Sequence, residues 1–382
     1  MASIRTAAAP VQTSDRSNGL TLPVGRRAEA AKSAPAQRNP VTDRFNGGPG
    51  SKPAPLSLAP AAGKPLASPP ALPSWYPQNF DLAAAGEGVK GVLEAQGQAA
   101  SDIGSGQVHR LVFSDGDGTL LATKEPIYLK NKATGQYLTY PGTSDLVMLP
   151  GATSRDTAAG MAELKKKYPD LPLDQYAMDF SEYGSMAALL RTGAVKPMLD
   201  RFQTVDKDPT SRDFVITARS DAAVVPAMKQ WTSDRGVDLN GTFVTSNPEL
   251  GKALHFTDAP FTSGQKKAVG MAAAIQAYGP ENIQSLEFHD DGDDNLAASM
   301  QLLPKLYPNI DFKFYDSISK GSFEFEPRLI AHSEGGKLVA DGWGSGATPG
   351  AALTDEQVAA YGSTDDLPVP VDPRLTDAHP TW

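Results

Sequence analysis

From Leu111 onward the chain alternates short apolar runs with helical patterns, and that rhythm leaves few architectures open. The runs are RLVFSD, DFVITA, GTFVTS, SLEFHD and DFKFYD. Between them lie stretches such as DAAVVPAMKQWTSDRG and QKKAVGMAAAIQAYG, the first with an Asp or Ser placed to cap it. Strand and helix in alternation predict a parallel sheet flanked by helices, a three-layer Rossmann-like α/β fold.

Residues 123–190 break the rhythm. PIYLKNKATGQYLTYPG reads as a hairpin with KATG in the turn, TAAGMAELKKKYP as a helix, and MDFSEYGSMAALLRTG fits either element. This insertion is expected to form a small cap or lid. From Met1 to about Leu72 the chain is rich in Ala, Pro, Ser and Gly, with Phe45 its only aromatic residue. Such a composition cannot bury enough apolar surface to offset chain entropy, so disorder is expected there. A plain linker, a leader for export of unfolded chains and a tether for a protein partner all fit it. Residues 1–80 are therefore assigned to an N-terminal segment, 81–343 to the folded domain, and 344–382 to a loosely ordered tail; SWYPQNFDLAAAGEGVKGVLEAQGQAA reads as the opening of the ordered region, with a helix near 85–99.

Charge narrows the partners. Residues 1–74 hold 9 Lys and Arg against 3 Asp and Glu, a formal +6 that leaves −15 on the rest of a chain whose total is −9. An acidic folded region argues against a broad nucleic-acid or anionic-membrane footprint, though a local basic groove stays open. The absence of cysteine removes disulfides and thiolate chemistry, and the histidines are too scattered to spell a metal site. No stretch approaches a membrane span, and the N-terminus lacks the apolar core of a signal peptide. A soluble protein is expected, cytoplasmic or secreted by a route that needs no such peptide.

In an open parallel sheet, ligands gather outside the carboxyl ends of the strands. Ser114-Asp115-Gly116-Asp117-Gly118-Thr119 follows RLVF directly. A calcium loop is the competing reading, but Leu120 and Pro126 stand where that loop needs Gly and Glu. DFVITARS delivers Thr217, then Ala218 and Arg219. Lys266 and Lys267 open the helix before the next strand, and SLEFHDDGDDN runs into Asp290, Asp291, Asp293, Asp294 and Asn295. Each cluster alone also suits a solvated turn or surface. Carboxylates this dense repel one another, however, and a bound cation is the natural remedy.

In this order the clusters resemble the motifs of the haloacid dehalogenase superfamily of phosphohydrolases: Asp-x-Asp-x-Thr after a strand, Thr or Ser after a second, a helical Lys, and an acidic pair followed by Asp or Asn. The resemblance covers about residues 108–320. It implies a magnesium-dependent phosphatase in which Asp115 attacks phosphorus to form an aspartyl phosphate and Asp117 serves as acid, then base. It implies phosphate contacts from Gly116, Gly118, Thr119, Thr217 and Ala218. Magnesium would be held by Asp115, the Asp117 carbonyl and the acidic pair. Asp291 with Asn295 fits the commoner spacing, with Asp290 the alternative ligand and Asp294 the alternative outer partner. Lys267 is preferred over Lys266, because Met271 and Ile275 then share its helix side. His289 reads as a packing residue. Arg219 and the basic YLKNK could meet a second phosphate or an acidic substrate, and surface solvation explains them equally well. Two further readings remain: a nucleic-acid end phosphatase, disfavoured by the acidic charge, and a secreted or partner-binding effector built on the same scaffold.

Overall fold

The computed structural model describes residues 71–123, 126–149, 154–181, 186–219, 223–319, 325–342 and 347–361. Two helices, α1 (Leu82–Ala95) and α2 (Ala100–Ile103), lead into β1 (Arg110–Ser114). A short β2 (Leu121–Ala122) opens an insertion holding β3 (Ile127–Asn131), β4 (Met148–Leu149), α3 (Ser154–Lys167), β5 (Tyr176–Asp179) and α4 (Met186–Arg191), and β6 (Gly193–Ala194) closes it. Alternation then resumes through α5 (Lys196–Val205), β7 (Ser211–Thr217), α6 (Val224–Ser233), β8 (Gly241–Val244), α7 (Pro248–Ala253), α8 (Ser263–Tyr278), β9 (Ser285–Asp290), α9 (Asp293–Leu306) and β10 (Asp311–Ser319). β11 (Phe325–Glu334), β12 (Lys337–Ala340) and α10 (Asp355–Ala360) follow.

The main sheet has seven strands in the order β12-β11-β10-β9-β1-β7-β8. The five runs seen in the sequence form its parallel part, from β10 to β8. The sequence reading placed no strand beyond DFKFYD, yet β11 and β12 add antiparallel to that edge, joined by a two-residue Gly335-Gly336 turn. Side chains of one strand alternate between two cores. Leu111 and Phe113 pack with α1, α8 and α9, whereas Val112 packs with Phe202 of α5 and Trp231 of α6. Helices therefore flank the sheet on both faces. No helix among the described residues is long and apolar enough to cross a membrane.

Chain order places the cleft. After β1 the chain adds β7 and β8 on one side, then returns to add β9 and β10 on the other, so β1 lies where the direction of winding reverses. Flanking connections diverge at such a point and leave a crevice at the carboxyl ends of the strands. The insertion leaves through β2 and returns through β6, which pair antiparallel at Leu121–Ala194 and Ala122–Gly193. Within it, β4, β3 and β5 form a small antiparallel sheet with its own core of Ile127, Leu129, Val147, Leu149 and Leu164. The expected hairpin forms around Asn131, whose side chain accepts from Ala133 N and Thr134 N and shapes the turn. Of the ambiguous MDFSEYGSMAALLRTG stretch, Met178 and Asp179 end β5 and Met186–Arg191 form α4, while residues 182–185 lie outside the described residues.

Ordered packing opens with the SWYPQNF segment, as its sequence suggests and ahead of the domain boundary set at residue 81: Tyr76 is buried, and Trp75 Nε1 donates to Gln301 Oε1 at 2.8 Å. It also continues past 343, where Val358 is buried and the Tyr361 hydroxyl donates to Asp316 at 3.0 Å. One aromatic anchor, Tyr361, helps to dock a tail whose average composition reads as loose. At α6 the capping position is Ala223, which makes no side-chain cap, while Ser220 and Asp221 lie outside the described residues. The disorder expected at 1–70 and 362–382 likewise falls outside them.

Asp213 on β7 gives a stability test away from the cleft. It is buried, exchanges backbone and side-chain bonds with Asn240, and leaves Oδ2 without a partner among the described residues. Burial pushes its carboxyl up to about 7. A carboxyl raised on folding holds its proton more tightly in the native state, so this group lowers stability as pH climbs from about 4 through about 7. Asp213→Asn should therefore be more favourable relative to wild type at pH 8 than at pH 4.5. Urea melts at the two pH values check this, and an effect independent of pH would contradict it.

Candidate active site

The site grows out of β1. Leu111 and Phe113 point toward α8, and the period of two sends Asp115 the same way. Asp115 N donates to the His289 carbonyl at 2.8 Å, continuing the ladder one residue beyond the strand. The chain then doubles back: Leu120 N and Leu121 N both donate to the Gly116 carbonyl, and Gly118 adopts φ +73°, which favours glycine. A side chain at Gly116 would crowd the Thr217 hydroxyl at 3.3 Å, so this loop lies against the end of β7. Ser317 of β10 donates to the Gly118 carbonyl at 3.0 Å and pins the loop from the other side.

Lys267 is the hub. Its Nζ lies 2.7 Å from Asp115 Oδ1 and 2.7 Å from Asp290 Oδ2, and its side chain is 1% exposed. A capping box of Thr262 and Gln265 fixes the start of α8, and a side chain at Gly264 would collide with the Asp294 carbonyl of α9 at 2.6 Å. The two helices thus start close together, which carries Lys267 over the strand ends. Met271 and Ile275 are buried on the same helix. Lys266, turned about 100° away, is only half-buried and joins neither carboxylate.

Oxygen atoms of Asp115, Asp290 and Asp291, all buried, lie within 4.8 Å of one another and can hold a metal ion. Asp290 Oδ1 also accepts from Gly292 N and Asn295 Nδ2, each at 2.8 Å. Asn295 therefore pairs with Asp290, not with Asp291 as the spacing suggested, because β9 directs Asp290 toward α8. Asp294 is exposed in the first turn of α9 and stands apart from the carboxylate cluster. Burial drives the Asp115 carboxyl up to about 7 against the opposing pull of Lys267. Burial alone would lower Lys267, but Asp115 and Asp290 prevail and hold the ammonium above its ordinary range.

Asp117 is placed differently from Asp115. Its carboxylate is gripped by Arg219, with Nε on Oδ2 at 2.9 Å and Nη2 on Oδ1 at 2.6 Å, and by the Thr123 hydroxyl on Oδ1 at 2.6 Å. The side chain stays outside the three-carboxylate cluster. Arg219, which by sequence suits a second phosphate, an acidic substrate or a solvated surface equally well, is 3% exposed at the side chain. Its backbone N donates to the Thr217 hydroxyl at 3.3 Å, linking it to a second site residue. Thr217 is buried, Ala218 is exposed, and Thr119 is buried with a hydroxyl that has no partner among the described residues. His289 packs as expected: its ring stacks on Tyr315 at 4.2 Å, and burial holds its pKa below the ordinary value. Sequence reading did not find Thr123, which carries no motif. It noted Arg219 without its partner, because 102 residues separate the pair.

The arrangement offers a buried carboxylate on a lysine, a second carboxylate on an arginine, and an oxygen-only metal cradle. No family model, curated protein or solved structure matches the chain.

Proposed function

We propose that the protein is a magnesium-dependent phosphatase of the haloacid dehalogenase superfamily, cleaving a phosphomonoester through an aspartyl phosphate. The observation that carries this reading is the convergence of Asp115, Lys267, Asp290 and Asp291, from three separate segments, at the carboxyl end of the sheet. Lys267 meets two buried carboxylates, Asp115 and Asp290, and Asp291 brings a third buried carboxylate within 4.8 Å of them, a density that a bound cation would offset. The donors are all oxygen, which suits magnesium better than a softer metal. Asp115, Asp291 and the Asp117 carbonyl would hold it, backed by Asp290. Bound there, the ion would neutralise charge on the phosphoryl oxygens.

In the first half of the reaction a carboxylate oxygen of Asp115 bonds to phosphorus as the bond to the leaving oxygen breaks, and Asp117 gives that oxygen a proton. Water then attacks phosphorus, Asp117 takes its proton, and the bond to Asp115 breaks to free inorganic phosphate. Lys267 steadies the nucleophile and offsets charge on the phosphoryl group, while Thr217 donates to it. The insertion, entered directly after the Asp117 loop, serves as a small lid over the cleft.

Release of phosphate from an aryl phosphate by the purified protein tests this directly. It should require magnesium and stop with chelator; folded protein that releases none with magnesium would overturn the proposal. Binding has its own readout. Magnesium at 100 times its dissociation constant should stabilise the protein by about 2.7 kcal/mol, and Asp291→Asn should remove most of that rise in a thermal melt. An equal rise in both proteins would put the metal elsewhere.

A further inference from the structure

We infer that Arg219 is a positioning residue for proton transfer, holding the Asp117 carboxylate so that one of its oxygens faces the leaving group. The inference rests on the phosphatase reading above. A carboxylate has about four acceptor positions on its two oxygens. The contacts from Arg219 and Thr123 fill two on Oδ1 and one on Oδ2, so Oδ2 keeps one for substrate or water. A bidentate guanidinium sets the plane of the carboxylate as well as its distance, which a lone ammonium does not do. The grip also spans the site. Arg219 follows the end of β7 and bonds Thr217 through its backbone, whereas Thr123 is the first residue beyond β2 on the way into the insertion. Asp117 is thus oriented jointly by the sheet and by the stem of the insertion. Arg219 itself makes no bond to phosphorus and carries no proton; it acts through Asp117.

The role predicts a dependence on the leaving group. An aryl oxide departs without a proton, whereas an alkoxide needs one, and positioned general acids contribute typically 10²–10⁴-fold. In the full-length protein, Arg219→Gln should lower kcat/KM for an alkyl phosphate about 100-fold and that for 4-nitrophenyl phosphate only about fivefold. Asp117→Asn should show the same selectivity, and adding Arg219→Gln to it should cost little more, since the oriented group is already gone. Arg219→Lys should recover part of the alkyl rate, and Thr123→Val should shift the ratio in the same direction as Arg219→Gln. If Arg219→Gln does not fold, judged by its circular dichroism, the Lys and Val variants carry the comparison. Equal losses for both esters, or full additivity with Asp117→Asn, would sink the role of Arg219 while leaving an active phosphatase. Wild-type protein that hydrolyses neither ester would sink the phosphatase reading and this role with it.

Discussion

Asp115→Asn is expected to lower turnover at least about 1,000-fold while the protein stays folded. The amide nearly matches the carboxylate in shape but is a poor nucleophile, so the aspartyl phosphate cannot form. Stability should change little, because two effects oppose each other. Asn loses the charge-assisted bond to Lys267, yet Lys267 keeps Asp290 at 2.7 Å. It also escapes the burial that lifts the Asp115 carboxyl to about 7. A net change within about 1 kcal/mol is expected at pH 7, that of a substitution without a cavity or an unpaired charge. Phosphate release and a circular dichroism melt on the same sample check both halves. Retention of a tenth of the wild-type rate in a folded variant would remove Asp115 from the role of nucleophile.

Much of this site was visible in the sequence because strands have a period of two. Leu111, Phe113 and Asp115 lie on one face of β1, and Leu286, Phe288 and Asp290 on the matching face of β9, so both carboxylates point toward α8. The same parity makes Asp290 the partner of Lys267 and Asn295, whereas motif spacing had favoured Asp291 with Asn295 and left Asp290 as the alternative metal ligand. Lys267 was distinguished from Lys266 by the company of Met271 and Ile275, which is a helical argument of the same kind. Contacts made through loops carried no such periodicity. Nothing in the local pattern joins Asp117 to Arg219, or marks Thr123 as a partner of either. The edge of the sheet was hidden for another reason: β11 and β12 follow β10 without a helix between them, so the βα rhythm that exposed the other strands was absent. Tyr361 sits in a segment whose composition dilutes it, and only its partner, Asp316, shows that it docks.

Lys267→Met should destabilise the protein by about 3–5 kcal/mol, the usual result of removing one member of a buried ion pair. Met fills similar space, so the loss reports charge: Asp115 and Asp290 are left together in the interior without the ammonium they share. The sign of the pH dependence follows. Lys267 is raised above its ordinary value by its two carboxylates, so its stabilising contribution is complete throughout the neutral range and is lost only in strong alkali. In the variant, by contrast, Asp115, whose carboxyl burial already raises, loses the opposing pull of Lys267 and takes up a proton more readily, so the deficit should shrink as pH falls from 8 to 5. Magnesium should also raise the melting temperature of Lys267→Met more than that of wild type, since a cation supplies the missing positive charge. Activity should not return with it, because the steadying bond to Asp115 stays absent. Lys266→Met is the internal control, with an expected change within about 0.5 kcal/mol for a residue outside such a network. Melts of both variants at pH 5 and pH 8, with and without magnesium, separate the two lysines; equal losses would mean that the charge balance of the cleft does not depend on Lys267.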